Sequence, residues 1–406
     1  MTDRYDELYA VYETVDAETI RAYQDLVDLY PPLDSSVALS YWEDASETLA
    51  EKRADVADRY GEGVADLVAR ASRDQAFTAL DLYTSYGRGV NVLVLDVDET
   101  LRSAGHTDNE IPREVLHLLT EFHEAGVPIV ICTGQTLENV KGFLIQGLGN
   151  ELVHSGDLSV VYETGTGVFT PGHGPETKRL LYEDLDDDVT EVFAEVRARV
   201  LSDAPGDIRS GCHLQGNEFN VTLKPNHETG TERAVDVVAH ALRWLLSLLG
   251  DAVSDANERE VKAYYAAQDP EIAAVLDAAD DRPDVSVPDA VAARLERIDV
   301  AYYEGDAAEI ASRELNKVVG VTAALDVLGV DDPFALVMGD SKSDRRVMEW
   351  AAANDAGIAA APAHASAGVR DFVEARDDLV FDSGRAGDVL RTTYALNRLA
   401  ARADEN

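Results

Sequence analysis

Three short apolar runs in this 406-residue chain end in side chains able to do polar chemistry. Val92-Leu93-Val94-Leu95 ends in Asp96, with Asp98 two residues on. Ile129-Val130-Ile131-Cys132 ends in Thr133-Gly134. Ala335-Leu336-Val337-Met338 ends in Gly339-Asp340. With 77 acidic residues in the chain, two carboxylates at spacing two mean little by themselves. Position is what singles out Asp96. A charge at the end of a buried run costs several kcal/mol unless a cation or donors meet it, and a metal ion is the natural partner.

The runs are rich in Val and Ile and alternate with helical stretches from about residue 90, as buried parallel strands alternating with helices do. In an open parallel sheet, ligands bind outside the carboxyl ends of the strands, so the three polar ends are expected to converge on one crevice. A fourth run, Leu158 to Tyr162, closes with Glu163-Thr164-Gly165-Thr166-Gly167. Residues 1–89 carry helix-period apolar positions, among them Leu8, Val11, Tyr12, Val56, Tyr60, Val64 and Leu67, broken by Pro31-Pro32. Their role stays open between packing on the core, dimerisation and covering a hinge. Between 171 and 304 the character changes to two helical patterns, an extended stretch Glu218 to Leu223 and an acidic segment 277–289. This segment reads as an inserted domain. His213, Glu218, Asn220, Lys224 and Arg209 within it fit a solvated sheet face or a surface turned to a ligand. The expected organisation is a helical region 1–89, an α/β core from 90–170 and 305–406, and an insertion 171–304.

Composition excludes several classes. The net charge is −42 and hydrophobic residues make up 46%, so the chain has enough apolar material for two or three real cores. No basic patch with interleaved aromatics exists to neutralise phosphates, which argues against a nucleic-acid partner. No window approaches the roughly 18 apolar residues of a membrane span, and the N-terminus lacks a signal-peptide pattern, so a cytoplasmic protein is expected. Cys132 and Cys212 offer neither a disulfide framework nor metal-ligand spacing. Seven lysines stand against 28 arginines, and the acids are spread over every region, including Asp184 to Asp188, expected as solvated surface. That pattern fits salt adaptation, since molar salt shortens the Debye length to about 3 Å.

Asp96-Val97-Asp98-Glu99-Thr100 after an apolar strand resembles the first motif of the haloacid dehalogenase superfamily of phosphohydrolases, DxDx[TV]. The other motifs follow in order: Thr133 in VICTGQT, Lys317 in Asn316-Lys317-Val318-Val319-Gly320-Val321, and Asp340 with Asp344 in GDSKSD. The insertion lies between the second and third motifs, which resembles the subclass with a large α/β cap (Cof-type, sugar-phosphatase-like). The resemblance implies a Rossmann-like parallel core with an inserted α+β cap, and an Mg²⁺-dependent phosphatase acting on a small phosphorylated metabolite, a sugar phosphate first among them. Asp96 would be the nucleophile forming an aspartyl-phosphate and Asp98 the general acid and base. Thr133, Gly134 and Lys317 would hold the phosphoryl oxygens. Mg²⁺ would be held by Asp96, the Asp98 carbonyl and Asp340, with Asp344 either a further ligand or a support behind them, an all-oxygen set that suits it.

Glu99 stands where Gly is commonest in the motif, Gln135 where many relatives have Arg, and Ser343 where Asn is frequent. A phosphotransferase or mutase on the same site, and a non-catalytic phospholigand-binding or scaffold protein, are the alternatives. Thr133 could equally cap the helix before Leu137. The Gly-rich stretch 165–174 lacks the Walker pattern and reads as the hinge into the insertion. Oligomeric state, a homo-oligomer included, stays open.

Overall fold

The computed structural model describes residues 2–404 except 30–35, 103–109, 144–146 and 218. The chain divides into two compact units. The first holds residues 1–162, 168–178 and 321–406; the second holds 163–167 and 179–320.

In the first unit the strands Leu379–Phe381, Gly357–Pro362, Ala335–Met338, Val92–Leu95, Ile129–Cys132 and Leu158–Tyr162 lie side by side in that order. Every neighbouring pair is parallel. The register is in step across the three polar-ended strands: Leu95 stands beside Met338 on one side and beside Ile131 on the other. All four residues of each of these strands are buried, which is why they read as unbroken apolar runs rather than alternating ones. Val92–Leu95 is the switch point: the chain leaves it to one side for Ile129–Cys132 and returns much later on the other side as Ala335–Met338. Asp96, Thr133 and Gly339-Asp340 therefore leave the same edge of three adjacent strands.

The N-terminal region is helical, with helices Thr2–Thr14, Ala17–Leu29, Ser36–Tyr60, Glu62–Arg70 and Arg73–Tyr86. Leu8, Val11, Val56, Val64 and Leu67 are buried, and Tyr12 and Tyr60 pack partly buried against them. The tyrosine rims keep their hydroxyls bonded: Tyr12 Oη donates to Ala71 O at 3.0 Å, and Tyr60 Oη lies 2.6 Å from Thr14 Oγ1. Of the three roles left open by the sequence, packing on the core is the one observed. Arg391, on the helix Ala386–Asp404, has a side chain only 8% exposed and clasps Asp25 Oδ1 at 2.7 Å, Glu114 Oε1 at 2.7 Å and Arg70 O at 2.8 Å. A guanidinium buried so far is tolerated because each edge of its fork is met. His117, on the helix Arg113–Glu124, adds a second tie 3.1 Å from Asp28 of Ala17–Leu29.

The second unit carries an antiparallel sheet in the order Cys212–Gln215, Asn220–Pro225, Ala307–Ser312, Ile298–Tyr303. It holds the helices Asp187–Arg199, Gly230–Ala252, Glu258–Gln268, Pro270–Ala278 and Asp289–Leu295, more than the two patterns expected. The long helix buries Val238, Ala241, Leu242, Leu245, Leu246 and Leu249. The extended stretch is the strand Asn220–Pro225, while Glu218 falls outside the described residues. The acid run is exposed, as expected, and on that surface Asp186 and Asp188 meet Arg297 at 2.8 and 2.9 Å. Among the described residues no helix is long and apolar enough to cross a membrane. Both cysteines are buried and in no disulfide, and burial pushes the Cys212 thiol up to about 11, away from a reactive thiolate.

Candidate active site at the strand ends

The backbone of Asp96 continues the ladder by donating to Met338 O at 3.0 Å, which fixes where its side chain begins. The residue is 5% exposed. The chain then turns back within a few residues: Leu101 N and Arg102 N both donate to Val97 O at 3.1 Å. Val97 and Leu101 are 1% exposed, so two apolar anchors hold the loop down while Asp98 and Glu99 between them stay partly exposed. Thr100 Oγ1 donates to Asp96 Oδ2 at 3.3 Å.

Glu99 takes φ of 58°, the left-handed region. Glycine enters this region freely, whereas another L-residue spends roughly 1–2 kcal/mol to do so. The departure from Gly therefore leaves the loop in a glycine-like conformation at some cost in strain. His364 offsets part of it, with Nε2 3.0 Å from Glu99 O and 3.4 Å from Glu99 Oε2.

On the neighbouring strand, Gly339 is required by close approach. A Cβ there would stand 2.2 Å from Asp344 Cβ. The absence of that atom lets Asp344, 3% exposed, lie against the strand end. Its Oδ2 accepts from Ser341 N at 3.1 Å and Ser341 Oγ at 2.5 Å, capping the helix Lys342–Ala353.

Asp96, Asp340 and Asp344 each bring one carboxylate oxygen within 4.8 Å of the other two. At an effective dielectric of about 20, two full charges that far apart repel by about 3 kcal/mol. Two of the three groups are nearly shut off from water, and the donors are all oxygen. A hard divalent cation fits this set.

Thr133 is 1% exposed, and its Oγ1 accepts from Gln135 N at 3.1 Å. It does not cap the helix Leu137–Phe143; the hydroxyl instead bends its own loop. Gly134, next to it, is exposed. The strand ends thus bring Asp96, Asp98, Thr133, Gly134, Asp340 and Asp344 into one unit. Ser343 Oγ is 2.9 Å from Ser341 Oγ.

Lys317 belongs to the second unit, where it opens the helix Lys317–Leu328 and is 3% exposed. Asn316 Oδ1 accepts from Val318 N at 2.9 Å and Val319 N at 3.2 Å, an N-cap that sets Lys317 in the first turn. Gly165 packs on this cap: a Cβ there would stand 2.0 Å from Asn316 O.

No protein-family profile and no curated protein matches the chain. Solved structures do. Trehalose-6-phosphate phosphatase from Aspergillus fumigatus matches with 16% identity and a TM-score of 0.44, over 80% of this chain and 97% of the other. The phosphatase BT1666 from Bacteroides thetaiotaomicron, of the haloalkanoate (HAD) enzyme superfamily, matches with 15% identity and a TM-score of 0.42, over 76% and 96%. The HAD subclass IIB sugar phosphatase BT4131 matches with 15% identity and a TM-score of 0.42, over 76% and 99%. At such identities and scores, the case for this chain's chemistry rests on its own residues.

Three site neighbours carried no signal that the motifs could reveal. Arg102 donates to Asp98 Oδ1 through Nε at 2.9 Å and Nη2 at 2.6 Å. Gln135, noticed only as a departure, donates through Nε2 to Asp98 Oδ2 at 2.6 Å. His364 lies 265 residues from its partner. Only the first could have been guessed, from an opposite charge four residues beyond Asp98.

Proposed function

We propose that the chain is an Mg²⁺-dependent phosphatase of the haloacid dehalogenase type, hydrolysing a small phosphorylated metabolite. The observation that carries this reading is the convergence of the Asp96, Asp340 and Asp344 carboxylates within 4.8 Å, at the end of the strand whose first polar residue is Asp96. A pocket built only to bind a phosphorylated ligand would favour cations, not three carboxylates. With a divalent cation the same cluster attracts phosphate.

Asp96, Asp340 and Asp344, with the Asp98 carbonyl, would hold the cation, which supplies charge neutralisation at the phosphoryl oxygens. An oxygen of Asp96 forms a bond to phosphorus as the bond from phosphorus to the leaving oxygen breaks, and that oxygen takes a proton from the Asp98 carboxyl group. Water then attacks the aspartyl-phosphate, giving its proton to the Asp98 carboxylate, and inorganic phosphate leaves. Thr133 and Gly134 hold phosphoryl oxygens from the second strand, and Lys317 supplies a point charge to them. The insertion, read as a cap, would select the leaving group, with sugar phosphates the first class to try. The enzyme works in the cytoplasm and prefers high salt.

The test is phosphate release from sugar phosphates, phosphoglycolate, nucleoside monophosphates and an aryl phosphate, at 0.1 M and molar KCl, with Mg²⁺ or EDTA. Release that needs Mg²⁺, vanishes in Asp96→Asn and rises with salt supports the reading. A folded wild type that binds Mg²⁺ yet releases nothing across the panel turns it toward a transferase or a phospholigand-binding protein. An optimum at low salt removes the salt preference alone.

A further inference from the structure

The Asp98 side chain meets donors at both ends. Arg102 reaches Oδ1 twice, at 2.9 and 2.6 Å, and Gln135 Nε2 reaches Oδ2 at 2.6 Å. The carboxyl group itself is half exposed, at 47%, whereas the Arg102 side chain is 16% exposed. Left alone, an Asp in that position would sample its rotamers in water. Two donors arriving from two different loops remove that freedom.

The second donor is tied to the phosphate side of the site. Gln135 N donates to Thr133 Oγ1 at 3.1 Å, so one residue touches both Thr133 and Asp98. Gln135 is neutral. It supplies a directed hydrogen bond without adding a second cation beside Arg102, as an Arg at this position would.

We infer that Gln135 is a positioning residue that aligns Asp98 with the leaving group, using Thr133 as its reference point. The inference rests on the phosphatase reading and goes beyond it, because it names how this chain aims its acid where relatives commonly carry Arg. The alignment matters in the step where the leaving oxygen takes its proton. An alkyl oxygen leaves poorly without that proton, whereas an aryl oxygen, whose charge the ring spreads, hardly needs it. A residue that aims the acid therefore acts on alkyl phosphates far more than on aryl phosphates.

The experiment measures kcat and KM of wild type, Gln135→Met and Gln135→Asn with one alkyl phosphate and one aryl phosphate, at saturating Mg²⁺. Met keeps the length and apolar stem without the donor; Asn keeps the amide on a shorter arm. For Gln135→Met, kcat on the alkyl phosphate should fall roughly tenfold or more beyond any fall on the aryl phosphate, with KM changed less than about twofold. Gln135→Asn should recover part of the loss. Equal losses on both substrates, or a raised KM with kcat intact, overturn the inference while leaving the phosphatase standing. Wild type inactive toward both substrates overturns the phosphatase reading and this inference with it.

Discussion

The strand-end loops of the first unit and the sheet of the second unit hold their polar residues in different ways. In the loops, backbone groups anchor part of the set: Asp96 N continues a ladder, Thr133 accepts from Gln135 N, and Asp344 accepts from Ser341 N, while the Asp98 side chain is held by Arg102 and Gln135. In the sheet, side chains are placed mainly against each other. Thr222 Oγ1 lies 2.7 Å from Asn220 Oδ1 and 2.9 Å from Glu309 Oε2, and Gln215 Nε2 lies 3.1 Å from His213 Nε2. Backbone anchoring gives the precision that bond-making needs. Side-chain networks can change partners without moving the fold, which suits selection among ligands. On the proposed function, the contrast would divide reaction from selectivity.

Substitutions in the loops should break the first half of that division. Asp96→Asn should lower phosphate release on the order of 10⁴-fold while leaving the thermal midpoint near that of wild type. Asp98→Asn should cost roughly 10²–10⁴-fold, and less on an aryl phosphate than on an alkyl one. Gly339→Ala places a methyl group 2.2 Å from Asp344 Cβ. It should raise the Mg²⁺ concentration for half-maximal activity by about 10-fold or more, and cost about 1–3 kcal/mol in denaturant unfolding.

Substitutions in the sheet should sharpen the second half. His213→Ala and Lys224→Ala change a cross-strand pair of the second unit. They should shift the ranking of substrates by a few-fold in kcat/KM, roughly 1 kcal/mol each, with no change in the Mg²⁺ requirement. An altered Mg²⁺ requirement would erase the distinction between the two regions.

The smallest expected effect lies away from both. His117 is held above its ordinary pKa chiefly by its hydrogen bond to Asp28, with burial opposing. A group raised on folding stabilises fully below its unfolded pKa of about 6.5 and loses that contribution as pH rises through the folded value. Urea unfolding should show a loss of under about 1 kcal/mol as pH rises above 6.5, absent in His117→Gln.

The core was legible because its strands are covered on both faces, a condition that forces unbroken apolar runs such as Val92–Leu95. Asp96 and Asp340 were legible because polar residues at the ends of such runs must stand at the sheet's edge, whereas Asp98 and Asp344 were singled out by the motif resemblance. Gln135 and His364 were not legible as partners, since nothing local ties them to Asp98 or Glu99, and Arg102 offered only its opposite charge four residues beyond Asp98. The N-terminal helices announced their own apolar faces, but not what they lie against. Their ties to the core join residues as far apart as Arg391 and Asp25, 366 positions along the chain, and such pairs exist only after the fold brings them together. In the insertion, the helices beyond the two expected went unread because short helices such as Asp289–Leu295 offer barely two turns of periodicity.

The most direct test of the central claim is an acid-quenched single turnover of Asp98→Asn with an aryl phosphate labelled on phosphorus. Asp96 should carry the label as an acyl phosphate that hydroxylamine removes, because loss of the Asp98 base slows hydrolysis more than it slows transfer from so good a leaving group. Asp96→Asn should remain unlabelled. Labelled inorganic phosphate released at the wild-type rate with no label ever found on Asp96 would contradict the account.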